Sequence, residues 1–282
     1  MLDRRRVLLG MAGVAMAPWV AATSHHSGLR IGLTPVFLDD QAAFLSRWRD
    51  YLQRRTGLEI QFVQRSSYRE ILEQVVSRDL DLAWLCGFPY VQERERLRLM
   101  ATPLFQGKPE YHSYLLAHHT HRANGIEGLA GGVMAYSDPN SFSGYLYPRS
   151  QLQQAGLSSD SYFRRSFFTW SHRRVVEAVA VGLADAGAVA GYVWETMARL
   201  YPELVSHTRV IHRSRAYGFP PFVSRADLDG RLFDTVQQVF LEMRRDPDGA
   251  ALLEQLNLDG FIPAEPEMYS SIAAMVEQVR GG

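Results

Sequence analysis

The chain has 282 residues, 46% of them hydrophobic, and 30 cationic side chains balance 30 anionic ones. That length suits two lobes of about 120 residues better than one domain, and the apolar content excludes a disordered chain. Zero net charge leaves no basic surplus to release counterions from nucleic acid, so no nucleic-acid partner is expected.

Residues 1–22 read as an export leader: Arg4, Arg5 and Arg6, an apolar run over 7–20, then Ala21 and Ala22. Arg4-Arg5 ahead of Val7-Leu8 fits the twin-arginine variety. The run is short for a membrane-spanning helix, so cleavage after about Ala22 and a periplasmic location are expected, with a retained anchor as the alternative. Without the leader's three arginines and one aspartate, 27 cations face 29 anions. Cys86 is the only cysteine and lies far from the leader, which excludes both an internal disulfide and a lipoprotein anchor.

Beyond the leader, strands and helices alternate. Residues 29–33 form the first apolar strand. Asp39 or Asp40 caps a helix in which Phe44, Leu45, Trp48 and Leu52 recur at helical spacing, and Gly57 ends it. Residues 59–63 alternate as a strand. Ser66-Ser67 caps a helix that turns Tyr68, Ile71, Leu72, Val75 and Val76 inward. Strands at 82–85 and 99–103 flank a helix placed after Pro89. Further strands are expected at 114–117, 133–136, 167–169, 186–189 and 209–212, and helices at 143–154, 171–181 and 191–200. From Leu228 onward the chain reads as mostly helical. This rhythm means parallel sheets covered by helices. No low-complexity linker separates the halves, so crossings near 111–117 and 213–222 join a first lobe, 28–113 plus 219–282, to a second, 114–218. Two such lobes enclose a hinged cleft.

In open α/β sheets, ligands sit beyond the carboxyl ends of the strands. Thr34 follows the first strand. Ser67 and Tyr68 follow the second, where the serine is a helix cap or, at a cleft, a donor to an anion. Cys86-Gly87 follows the third. The glycine admits a ligand closely, and the thiol is either a ligand contact or a small buried core group. Ser137-Asp138-Pro139-Asn140-Ser141-Phe142-Ser143-Gly144-Tyr145 follows a strand and opens a helix. Its Ser141, Phe142 and Ser143 suit an oxyanion. His172 and Tyr192 begin two later helices. His172 is a hydrogen-bond donor or simply a polar first-turn residue. Trp194, two residues on, fits the core.

Catalytic motifs are absent: the sequence holds no G-x-S-x-G, P-loop or G-x-G-x-x-G. His118, His119 and His121 lack further ligands at zinc spacing. No cofactor or metal is expected, and the chain does not read as an enzyme. A Cys86–His172 thiol-dependent hydrolase stays as a distant alternative, without the local signatures of one.

Three stretches, 81–90, 138–148 and 171–195, together with Gly218-Phe219-Pro220-Pro221, resemble the phosphonate-binding, PhnD-type branch of type II periplasmic binding proteins. The resemblance covers nearly all of the mature chain. It implies a two-lobed fold, each lobe a mostly parallel sheet flanked by helices. It also implies a small-oxyanion ligand and a monomer that docks on an ABC permease or a membrane sensor histidine kinase. The sequence departs from the phosphonate pattern at Cys86-Gly87 and at Phe142, which separates Ser141 from Ser143. A gained thiol and a lost hydroxyl are similar to the arsenite-sensing AioX-type branch. The expected ligand is therefore arsenite bonded by Cys86 and presented to a sensor kinase, with phosphonate, phosphite or phosphate uptake as the alternative.

Overall fold

A computed structural model describes residues 28–35 and 41–280. The leader, and Asp39 and Asp40 as caps, lie outside the described residues. Thirteen strands are described: β1 Gly28–Leu33, β2 Glu59–Gln64, β3 Leu82–Trp84, β4 Leu97–Leu104, β5 Glu110–Tyr111, β6 Ser113–His118, β7 Val133–Tyr136, β8 Arg165–Phe168, β9 Ala186–Ala190, β10 Thr208–Arg213, β11 Tyr217–Gly218, β12 Phe222–Arg225 and β13 Gly260–Pro263. They build a six-stranded sheet in the order β13-β4-β12-β3-β1-β2 and a five-stranded sheet in the order β10-β6-β9-β7-β8. Between the sheets, β5 and β11 pair antiparallel, with Tyr217 opposite Tyr111. This ribbon carries the chain across and back. The first crossing therefore precedes Ser113 rather than running on toward Ala117, because Ser113–His118 is already a strand of the second sheet.

Local sequence explains the elements. The helix Ala42–Thr56 buries Phe44, Trp48, Tyr51 and Leu52 and stops at Gly57, whose φ of 73° lies in the left-handed region that glycine adopts freely. The helix Tyr68–Val76 opens on a capping box in which Ser67 accepts the Glu70 N–H and Glu70 returns a bond to Ser67 N–H. Trp48, fully buried, ties these layers together, with ring centroids 5.1 Å from Phe62 and 6.0 Å from Phe222.

Four expectations need adjustment. The sheets are mixed: β1 pairs parallel with β2 and β3, and β7 with β8 and β9, but β12, β13, β6 and β10 join antiparallel. The antiparallel strands are those that leave or re-enter a lobe at the hinge, together with the edge strand β13. Strand β12 begins at the last residue of the expected crossing and is not among the expected strands, and β13 falls in the stretch read as a helical tail. Both are short, and β13 carries Pro263, a residue tolerated at a sheet edge. The helix after β3 begins at Gly87 and includes Pro89, because a proline in the first turn lacks only an N–H that would have no partner there. The helix expected at 143–154 starts as a π-helical turn, Phe142–Leu146, before continuing as Tyr147–Gln154. Among the described residues, no helix is long and apolar enough to cross a membrane.

Candidate ligand site

The lobes meet face to face, and hydrogen bonds span the cleft. Tyr68 N–H donates to Asp138 Oδ2 at 3.0 Å, and Phe142 N–H to Cys86 Sγ at 3.3 Å. Asn257 Nδ2 donates to Thr196 Oγ1 at 3.0 Å, and the Tyr192 hydroxyl to the Leu256 carbonyl. Between them lies an enclosed cavity lined by Thr34, Tyr68, Trp84, Cys86, Tyr111, Ser143, His172, Ala190, Tyr192, Phe219 and Pro220. About 30 Å³ is open to the centre of a water molecule. That is room for a central atom with a few small substituents and little more.

Backbone geometry places each group. Tyr68, His172 and Tyr192 sit in the first turns of the helices Tyr68–Val76, His172–Ala180 and Gly191–Leu200, whose starts converge on the cavity. Ser143 comes from the π-helical turn, capped by Ser141 Oγ, which accepts Gly144 N–H at 3.0 Å. A π-turn brings one extra residue to this point, a device common where a helix serves a site. The turn packs tightly: a Cβ on Gly144 would stand 1.9 Å from Ser137 Oγ and 2.9 Å from His172 Cε1. Gly144→Ala is expected to cost about 1–3 kcal/mol by overpacking. Thermal melting should show this as a midpoint several degrees lower; an unchanged midpoint would mean that the turn yields freely.

The hydrogen-bond inventory is lopsided. His172 Nδ1 accepts the Ala190 N–H at 3.1 Å, so the ring proton is on Nε2, 3.4 Å from Ser141 Oγ. Burial holds His172 down at about 3, so the ring is neutral. Tyr111 Oη and Ser143 Oγ are buried and make no well-formed hydrogen bond in the protein. Tyr111 nevertheless stands beside Cys86 and Ser143, and burial pushes its phenol far above the usual range. Asp138 is pushed up by burial and drawn down by the N–H groups of Tyr68 and Asn140. Natural proteins seldom leave buried hydroxyls unpaired, so Tyr111 and Ser143 form a pair of hydroxyl donors facing one space, beside the neutral His172 ring.

Of the residues singled out from sequence, Thr34, Tyr68, Cys86, Ser143, His172 and Tyr192 line the cavity together. Ser141, Phe142 and Gly87 are buried behind the wall, and half-buried Ser67 is occupied as a helix cap. Tyr111, Trp84, Ala190, Phe219 and Pro220 complete the lining without having been singled out for the site. The doubled tyrosines of the hinge ribbon and the Gly-Phe-Pro-Pro run were the available signals. The hydrolase pairing does not form: His172 uses its nitrogens on Ala190 and Ser141, and burial pushes the Cys86 thiol up, which opposes a thiolate. The same shift weakens the arsenite expectation, since the soft ligand for arsenic is the thiolate and no second cysteine exists. What Cys86 does here is accept an N–H from the opposite lobe.

Two α/β lobes hinged by a paired ribbon and closed over a small donor-lined cavity define a type II periplasmic binding protein fold. The chain belongs to the ABC transporter phosphonate periplasmic substrate-binding protein family, whose pattern matches residues 31–269. It is 31% identical over 159 residues to the phosphate-import protein PhnD of Mycolicibacterium smegmatis, a stretch covering 52% of this chain and 48% of that one. It is 24% identical over 234 residues to the "Probable ABC transporter phosphite binding protein PhnD1" of Prochlorococcus marinus, covering 78% and 79% of the two chains. The solved structure of that P. marinus protein in complex with methylphosphonate superposes with a TM-score of 0.81 at 23% identity, over 90% of this chain and 98% of the other. The family is one of solute-binding proteins rather than enzymes. None of these relatives is an arsenite sensor, and the sensor-kinase expectation gains no support from them.

Proposed function

We propose that this chain is the periplasmic substrate-binding component of an ABC importer for a small tetrahedral phosphorus oxyanion of the size of phosphite or methylphosphonate. One observation carries the reading: Tyr111 Oη and Ser143 Oγ, buried without a well-formed protein hydrogen bond, face the same enclosed space, which the neutral His172 ring also lines. Thr34, Tyr68, Cys86 and Tyr192 complete the ligand's surroundings. Each lobe contributes part of the wall, so the ligand stabilises the closed form that a permease would recognise. Family membership and the ligands named for the relatives support the same class. The basic, apolar, small-residue start of the chain supports export to the periplasm.

Calorimetry of the purified protein against phosphite, methylphosphonate, phosphate and arsenite tests the reading. Saturable 1:1 binding of at least one phosphorus oxyanion, with no heat from arsenite, is expected. Tight arsenite binding that Cys86→Ser abolishes, with all three phosphorus ligands silent, would refute it.

A further inference from the structure

The cavity offers donors on one side and a fixed acceptor on the other. Thr34 gives its Oγ1–H to the Trp84 carbonyl at 3.1 Å, so toward the cavity it lines it has only lone pairs to offer. A ligand oxygen placed there must carry its own hydrogen. No described residue of the lining is lysine or arginine. A neighbouring hollow that shares Tyr111 and Tyr192 contains Lys108 and Arg213, but Glu110 and Glu195 line it too. Three backbone donors near the helix starts are committed to the protein. Tyr68 N–H goes to Asp138, Gly191 N–H to the His112 carbonyl and Ala190 N–H to His172. Asp138 itself is a fully buried carboxylate on the second lobe's side. A single negative charge can be held by neutral donors and the helix dipoles; a second would enter an enclosed space without a counter-charge.

We infer that the site takes its tetrahedral oxyanion in the singly protonated, monoanionic form, with Thr34 Oγ1 accepting the ligand's own hydroxyl. This rests on the phosphorus-oxyanion reading above and makes Thr34 a specificity-determining residue. Phosphite and methylphosphonate both carry one such hydroxyl as monoanions. Methanesulfonate has nearly the shape of methylphosphonate and the same single charge but no hydrogen on oxygen, so Thr34 confronts it with an acceptor against an acceptor. The titratable groups facing the ligand are Tyr68, Cys86, Tyr111, Tyr192 and His172, with Asp138 behind them. Burial pushes Cys86, Tyr111 and Tyr192 up and holds His172 at about 3. Near neutral pH those four groups keep their protonation state, Asp138, raised by burial, is the one competing proton acceptor, and the bound ³¹P shift assigns the proton to the ligand or to it.

The test uses the mature protein with methylphosphonate and phosphite, titrated calorimetrically in paired buffers of different ionisation enthalpy. Two conditions, about pH 5 and about pH 8.5, bracket the second ionisation of such acids, which is near 6 for a phosphate monoester. The expected result is uptake of one proton per ligand at the higher pH and none at the lower. The ³¹P shift of bound ligand should match the monoanion at both. Methanesulfonate should fail to bind. Thr34→Val should weaken methylphosphonate at least roughly tenfold, about one hydrogen bond to a charged group, while Thr34→Ser retains affinity and proton uptake. Binding at the higher pH without proton uptake, a bound ³¹P shift of the dianion, or methanesulfonate binding as tightly as methylphosphonate each overturns the inference and leaves the substrate class standing. Silence of both phosphorus ligands at both pH values overturns the substrate class, and the inference with it.

Discussion

Acidification from about pH 7 to about pH 4 is expected to remove roughly 3 kcal/mol of stability through His172 alone, at about 1.4 kcal/mol per unit of pH. The ring is held at about 3 by burial, against an ordinary value of 6.5. The unfolded chain therefore binds a proton below 6.5 that the folded chain refuses until about 3. The contribution is fully present above 6.5 and is lost as pH falls through that window. Protonation in place is also unfavourable locally, because Nδ1 accepts the Ala190 N–H and a cationic ring has no lone pair to offer. Asp138 works in the opposite direction. Its carboxyl is raised by burial, so it favours the folded state as pH falls toward its own range. Comparison with His172→Asn separates the two, since asparagine offers an acceptor in place of Nδ1 and does not titrate. Urea midpoints measured across this range should fall steeply for the parent and much less for the variant. Parallel falls in both proteins would place the acid sensitivity elsewhere.

What the sequence made legible was local. Gly57, the Ser67–Glu70 capping box and the apolar run at 29–33 each announce an element through chemistry within a few residues, and each stands where expected. Six of the ten proposed site residues line one cavity because strand ends and helix starts must face the cleft in this architecture. The failures were nonlocal. Tyr111 sits in a two-residue strand whose position is set by Tyr217, more than a hundred residues away, and no periodicity reveals that pairing. Cys86 looked like a ligand for a soft element because its residue type is reactive. Its reactivity depends on burial, which pushes the thiol up, and on the N–H of Phe142 from the other lobe. Phe142 looked like a lost hydroxyl, yet its ring is fully buried, 4.6 Å from the ring of Tyr217. It helps seat the hinge ribbon against the π-helical turn, so its backbone serves the cleft and its side chain serves the core.

Removing both unpartnered hydroxyls should separate binding from folding more sharply than any other change. In Tyr111→Phe combined with Ser143→Ala, neither lost oxygen makes a well-formed hydrogen bond to the protein, and the one polar neighbour left behind is the weakly bonding Cys86 thiol. The Ser143 carbonyl still accepts from Ser113 Oγ at 2.7 Å, because that bond uses backbone. The unliganded variant should thus melt at or slightly above the parent temperature, since replacing unpaired buried polar atoms with apolar ones relieves a desolvation cost. A hydrogen bond to a charged ligand contributes about 1.5–3 kcal/mol, so losing two should weaken phosphite or methylphosphonate roughly 10²–10⁴-fold. Each single variant should lose about the square root of that factor if the two act independently, and the double-mutant cycle reports any coupling. Ser137→Ala is the control: its hydroxyl is equally buried and unpartnered but lies outside the cavity lining. Affinity unchanged in the double variant, or a Ser137→Ala loss of the same size, would show that the hydroxyls facing the cavity do not hold the ligand.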